Sequence, residues 1–402
     1  MVSEVFLFVY RIILWMPNLK DHFLLDPKIV FLNHGSFGAT PKSVFEARKN
    51  WQIRLERQPV LFLGRELDSL LEQSRRVLAE YLNCDSDELV YIPNATHGVN
   101  IIAHSLKLQE NDEILTTNHE YGACDFTWEF TCGRVGAQYI RCPILLPVDS
   151  EDEIVETLWQ SVTPKTKAIY LSHITSPTAL RLPVEKICRR TKEAGILTII
   201  DAAHSPGQIP VDLQALGADI VFGNCHKWML NVKGSAFLYV RRNLQHIIDP
   251  LIVSWGYHPT PETTTGSRFI DILQWTGTKD PTAALTVPDA IQFMNDHHWD
   301  SVRKECHVLL KNAIEKICDL VVMSPMYPLD SDFYSQMGIA PLPLSNLAVL
   351  KKRLYDEYNI EVPLIQWQDR QFIRISVQGY NSQEDIELLV NSLKVLLPQV
   401  AI

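Results

Sequence analysis

Seven short runs, ELVYIP, DEILTT, AQYIRCP, AIYLSHI, ILTIIDA, DIVFGN and SAFLYV, follow one another between residues 88 and 240, and each is apolar almost throughout. A strand with one solvated face alternates apolar and polar residues, so runs without alternation belong to strands covered on both faces. Between them lie stretches with helical spacing, such as VEKICRRTKEAG at 184–195. Strands alternating with helices give a doubly wound α/β domain with a mainly parallel sheet. Upstream, Thr40-Pro41 reads as a helix cap and first-turn proline opening a helix to about Gln58. Leu67, Leu70, Leu71, Ser74, Val77, Leu78 and Tyr81 form the apolar stripe of a second helix.

The Pro/Thr/Gly-rich stretch YHPTPETTTGS marks a domain boundary or a mobile loop. Beyond it come helical patterns in TAALTVPDAIQFMNDHHW and SVRKECHVLLKNAIEKICD, a strand FIRISV, and a last helix opened by Ser382 and Asp385 as a capping box. That is a smaller α+β domain. The expected division is an N-terminal arm at 1–30, a large domain at 31–258 and a small C-terminal domain at 259–402, which suits a chain of 402 residues. Residues 1–15 read as an upstream extension, with Met16 opening the ordinary globular sequence. The apolar VFLFVYRIILWM within this segment is too short to span a bilayer and is interrupted by Arg11, so no membrane partner is expected.

A formal net charge of −10 argues against a polyanion as partner, because nucleic-acid binding needs a concentrated basic surface. The eight cysteines show no C-x-x-C and no spacing that closes a zinc site, which points to a reducing, cytoplasmic setting. His297-His298 look metal-like, but neighbours on a helix diverge by about 100° and cannot converge on one ion. No metal is expected.

In an open parallel sheet, ligands sit outside the carboxyl ends of the strands. Three unusual stretches fall there. NATHGVN follows the first run and begins a helix, so Ala95 and Thr96 offer backbone N–H groups and a hydroxyl to an anion, although Thr96 also suits a plain cap. Asp201 ends a buried run, where a carboxylate is either a turn cap or a partner for a cation. Lys227 stands where another buried run hands over to a loop, and partial desolvation there favours the nucleophilic amine. An anion cradle, a carboxylate and an activated amine together match pyridoxal 5′-phosphate, which needs a phosphate site, a partner for its ring nitrogen and a lysine.

The order NATHGVN, NHEYGA, HITSPTALRLP, DAAHSPGQ and GNCHKW resembles the class V aminotransferase family of fold-type I enzymes, and with the LNHGSFG segment it is most similar to isopenicillin N epimerase-like proteins. The resemblance spans about residues 20–380. It implies that Lys227 is the Schiff-base lysine, that Asp201 partners the pyridinium, and that His204 hydrogen-bonds near the ring oxygen. It further implies Tyr121 against the ring face, and Ala95, Thr96, Asn224 and His226 around the phosphate. Thr278 would reach the phosphate of a partner subunit, which implies a homodimer with shared sites. Arg374 in FIRISV matches the residue that holds the substrate carboxylate, a task for a planar guanidinium.

The family's reactions include epimerisation, transamination and sulfur chemistry. The stretch MSPMYPLDSDFYSQMGIAPLPLS carries no cysteine, which counts against a cysteine desulfurase but leaves a C–S lyase open. Epimerisation needs a second acid facing Lys227, with His34, Tyr121, Tyr257 and His258 as candidates and His34 also expected at the substrate. The leading expectation is an epimerase-like enzyme acting at the α-carbon of an amino acid or amino-acid derivative, with C–S lyase or aminotransferase as the alternative. A binding protein without turnover is disfavoured by intact Lys227, Asp201 and Arg374.

Overall fold

All seven apolar runs form strands in the computed structural model, which describes residues 19–402. Numbered along the chain, β1 is Val30–Phe31, β2 Leu89–Ile92, β3 Glu113–Thr117 and β4 Gln138–Cys142. They are followed by β5 Thr166–Ser172, β6 Leu197–Asp201, β7 Ile220–Asn224 and β8 Ala236–Val240. The last four are β9 Met337–Leu342, β10 Ile360–Glu361, β11 Leu364–Trp367 and β12 Arg370–Ser376.

The chain forms two compact units. One comprises Gly35–Met294 and Met326–Tyr334, and the other the described residues up to His34 with Asn295–Pro325 and Ser335–Ile402. In the first unit seven strands lie in the order β2-β8-β7-β6-β5-β3-β4. The five from β7 to β4 run parallel, and β8 is antiparallel to both β7 and β2. Strands β2, β3, β7 and β8 are buried at every residue, as runs without alternation require. The edge strand β4 is the most open and exposes Gln138 and Arg141, polar groups that blunt an unpaired edge.

The expected boundary at 258/259 falls inside this first unit. The helix Arg268–Gln274 buries Phe269, Ile270, Ile272 and Leu273 in the same core as Val90, Phe222 and Leu238, and each such side chain contributes about 1.5–3 kcal/mol. A turn-rich stretch marks a change of direction, and here the chain changes direction without leaving the core.

The second unit holds the antiparallel sheet β11-β12-β9 and the parallel pair β1-β10. Phe31 pairs with Glu361 across more than three hundred residues, which ties the start of the expected large domain to the smaller unit. Its last helix, Gln383–Val400, opens with the expected capping box of Ser382 and Asp385. Two local expectations change. The helix Lys42–Arg57 has Pro41 at its N-cap, and the Thr40 hydroxyl donates to the Asn231 carbonyl at 3.1 Å instead of capping. His297-His298 lie between helices, with His298 in a left-handed conformation, so helical divergence is not what separates them. Among the described residues no group of three His, Cys, Asp or Glu could hold a metal, and no helix is long and apolar enough to cross a membrane. Residues 1–15 lie outside the described residues.

Candidate active site

Parallel strands put their carboxyl ends on one edge of the sheet, and there β5 ends at Ser172, β6 at Asp201 and β7 at Asn224. The loops that leave those ends enclose a cleft. Asp201, His204, Asn224, His226 and Lys227 line it, together with Ala95, Thr96 and Tyr121. Every site residue expected around the cofactor, except Thr278, is therefore gathered on one wall or another of a single depression.

Asp201 is 4% exposed. Its Oδ1 accepts from the Ala203 N–H at 2.8 Å, and its Oδ2 from the Tyr170 hydroxyl at 3.3 Å and the Cys124 thiol at 3.6 Å. Burial pushes the carboxyl above its ordinary range, against the opposing pull of the Ala203 N–H and then of the Lys227 charge. Those hydrogen-bond donors are all neutral. A buried carboxylate bonded only to neutral donors is stabilised by a cationic N–H brought to it, which is what a protonated pyridine ring supplies.

Lys227 follows β7 by three residues, and its Nζ lies 3.2 Å from His204 Nε2. The other ring nitrogen of His204, Nδ1, accepts the Trp228 indole N–H at 3.2 Å. Lysine, histidine and aspartate thus stand in one cleft, the first two in direct contact.

The helix Ala95–Ser105 points its N-terminus at the same cleft. Its N-cap is Asn94, whose Oδ1 accepts the His97 N–H at 2.9 Å. The Ala95 N–H goes to Asn224 Oδ1 at 2.9 Å. Ala95 and Asn224, both expected to cradle an anion, bond each other through Asn224 Oδ1, which fixes the helix start on β7, and both line the cleft with exposed Thr96. His226 donates from Nδ1 to the Ser235 carbonyl at 2.8 Å, which directs Nε2 elsewhere, and burial lowers its pKa to about 4. Tyr121 is 48% exposed at the end of its turn, an open ring on the cleft wall.

Other expected residues lie elsewhere. Thr278 is exposed and lines a separate depression with Gln52, Leu55, Glu56, Leu63, Lys279 and Asp280. Tyr257 and His258 pack edge to face at 4.8 Å and do not line the cleft. Arg374 sits on β12 in the second unit, where burial lowers its pKa to about 10, still far above neutrality. His34 in that unit is fully buried, its Nδ1 2.9 Å from the Tyr380 hydroxyl.

One group of the site carried no expectation. Glu120, between His119 and Tyr121, is buried with Oε1 accepting from Thr117 Oγ1 at 2.7 Å, and Oε2 from the Ser172 N–H at 2.8 Å and its hydroxyl at 2.6 Å. Burial raises its pKa to about 7 despite those bonds, and the Asp201 charge adds to the rise. The sequence clue was the Thr117/Glu120 spacing at the end of a fully buried strand, where a carboxylate must find donors.

The chain belongs to the class V aminotransferase family, whose model matches residues 39–389. Isopenicillin N epimerase of Amycolatopsis lactamdurans is 32% identical over 391 residues, covering 94% of this chain and 98% of that protein. A probable chloroplastic L-cysteine desulfhydrase of Arabidopsis thaliana is 27% identical, covering 92% of this chain and 84% of that protein. The fold is that of fold-type I enzymes. A structure of mutant C-DES with glycine covalently linked to its PLP cofactor superposes with a TM-score of 0.79 at 21% identity, covering 93% of this chain and 98% of that one. Family membership supports pyridoxal 5′-phosphate as the cofactor, and the neutral-donor cage of Asp201, the cleft-facing lysine and the helix N-terminus fit it.

Proposed function

We propose that this protein is a pyridoxal 5′-phosphate-dependent enzyme acting at the α-carbon of an amino acid or amino-acid derivative, and that its reaction is an epimerisation of the isopenicillin N type. The observation that carries the reading is the placement of Asp201, His204 and Lys227 in one cleft with a helix N-terminus. When bound, the cofactor withdraws electrons from the α-carbon and makes its proton removable. Lys227 holds the cofactor and takes that proton. Asp201 keeps the ring nitrogen charged, His204 donates a hydrogen bond to the ring oxygen, and Thr96 and His226 orient the phosphate with Asn224 and Ala95 fixing the helix start. Arg374 binds the substrate carboxylate, and His34 belongs to the same proposed substrate-binding set.

Epimerisation needs a proton returned from the face opposite the lysine. Of the four candidates Tyr121 lines the same cleft as Lys227, so Tyr121 is assigned both the ring face and that second proton. A homodimer is part of the proposal, because exposed Thr278 lies outside its own chain's cleft. The eight free cysteines suit a cytoplasmic enzyme. A C–S lyase is the second reading, favoured by the desulfhydrase relative and left open by the cysteine-free stretch 323–345.

Incubating the enzyme with L-amino acids and cysteine conjugates in deuterated water separates the two. Deuterium at an inverted α-carbon supports epimerisation. Pyruvate with released thiol and no inversion overturns it in favour of the lyase.

A further inference from the structure

The family resemblance brings the cofactor to Lys227 and His204 but says nothing of the residue after the lysine. Trp228 is fully buried, and its indole has one polar atom, an N–H that can only donate. That donor meets His204 Nδ1 at 3.2 Å. The nitrogen that receives it must present a lone pair, so the imidazole carries its proton on Nε2. A histidine with hydrogen on Nδ1, in the other neutral tautomer or in the cation, would set two donors against each other in a site where His204 is only 3% exposed.

The contact is built into the backbone. Gly207, three residues after His204, has φ +90°, and a Cβ there would stand 2.2 Å from the Trp228 carbonyl oxygen. Gly38 has φ +69°, and a Cβ there would stand 2.3 Å from the His226 carbonyl oxygen. Two glycines therefore let backbone press on the 226–229 turn. The Gln208 amide donates to the His204 carbonyl at 2.7 Å and fixes the imidazole's own backbone. Where the indole points and where the ring receives it are both set.

We propose that Trp228 is a positioning residue that fixes His204 as the Nε2–H tautomer, so that its proton is aimed at the lone pair of the uncharged Lys227 amine and at the cofactor oxygen that comes to lie beside it. Only that last clause rests on the cofactor reading above. Without the indole, Nδ1 could hold the proton, and Nε2 would then present a lone pair to a cofactor oxygen where a donor is required. Tyr121, Asp201, His226 and Lys227 are the ionisable groups that line the cleft around His204, and the donor that meets Nδ1 is the Trp228 indole.

The test uses the full chain labelled with 15N-histidine, with His204 assigned by its loss in His204→Gln. The wild-type protein at neutral pH should show a protonated Nε2 and a bare Nδ1 at His204. Trp228→Phe, which keeps an aromatic ring and removes the N–H, should release a mixture of protonation forms. It should also weaken pyridoxal 5′-phosphate binding several-fold, and that loss should vanish when Trp228→Phe is made in the His204→Gln background, since an amide has no tautomer to fix. A wild-type His204 with its proton on Nδ1 overturns the proposal and needs no variant to fold. An equal loss of affinity in both backgrounds also overturns it, because Trp228 would then act by packing alone. If the expected tautomer is found in a protein that takes up no pyridoxal 5′-phosphate, the cofactor reading fails and the assignment to Trp228 stands.

Discussion

Glu120 is the buried acid with the least obvious purpose, and it makes a sharp prediction about stability. Its pKa rises from an ordinary 4.5 to about 7 on folding, chiefly because burial penalises the anion. The native state therefore holds this proton more tightly than the unfolded chain does. Its contribution, about 3 kcal/mol at 1.36 kcal/mol for each tenfold change, is complete below about pH 4.5 and is lost as pH climbs through about 7. Glu120→Gln removes the titration and fits the same donors. One amide oxygen can accept both Ser172 bonds, and the NH2 can donate to Thr117 Oγ1 once that hydroxyl turns. The unfolding free energy of both proteins, measured by denaturant titration between pH 4.5 and 8.5, should give curves whose difference changes by up to about 3 kcal/mol in favour of the variant as pH rises. His119, with its pKa lowered by burial to about 4, titrates in both proteins and cancels in that difference. Parallel curves would refute the reasoning and show that Glu120 ionises in the fold as it does in water.

Gly207→Ala should cost at least about 1–2 kcal/mol from the left-handed backbone alone, and the 2.2 Å approach to the Trp228 carbonyl should lower cofactor affinity as the turn shifts, read by denaturation and by cofactor titration. Arg374→Ala should weaken amino-acid binding by roughly 1.5–3 kcal/mol in spectral titrations while sparing cofactor affinity; unchanged substrate affinity would make Arg374 structural. Lys227→Ala and Thr278→Asp, each inactive alone, should regain activity on co-refolding, because a mixed dimer with shared sites contains one intact set. No recovery above the separate variants would place each site within one chain.

What the sequence disclosed depended on how local the signal was. The seven strands were legible because burial on both faces writes itself into consecutive residues, and Asp201 and Lys227 stood out because charges at the ends of such runs are costly without a partner. Thr40 misled because Thr-Pro is a cap by pattern, whereas its hydroxyl goes to Asn231, far along the chain. The bond between Ala95 and Asn224 and that between Trp228 and His204 join residues of different runs, and no spacing encodes them. The two compact units were not legible for the same reason: Arg268–Gln274 packs in one core with Val90 of β2, and Phe31 pairs with Glu361.

The central claim is that Lys227 holds pyridoxal 5′-phosphate beside Asp201. Purified protein is mixed with pyridoxal 5′-phosphate, its visible absorbance recorded, the adduct reduced with borohydride and the labelled peptide identified by mass. The account predicts one label per chain, on Lys227, and neither colour nor label there in Lys227→Ala. Wild-type protein that stays colourless, or a label spread over other lysines, would contradict it.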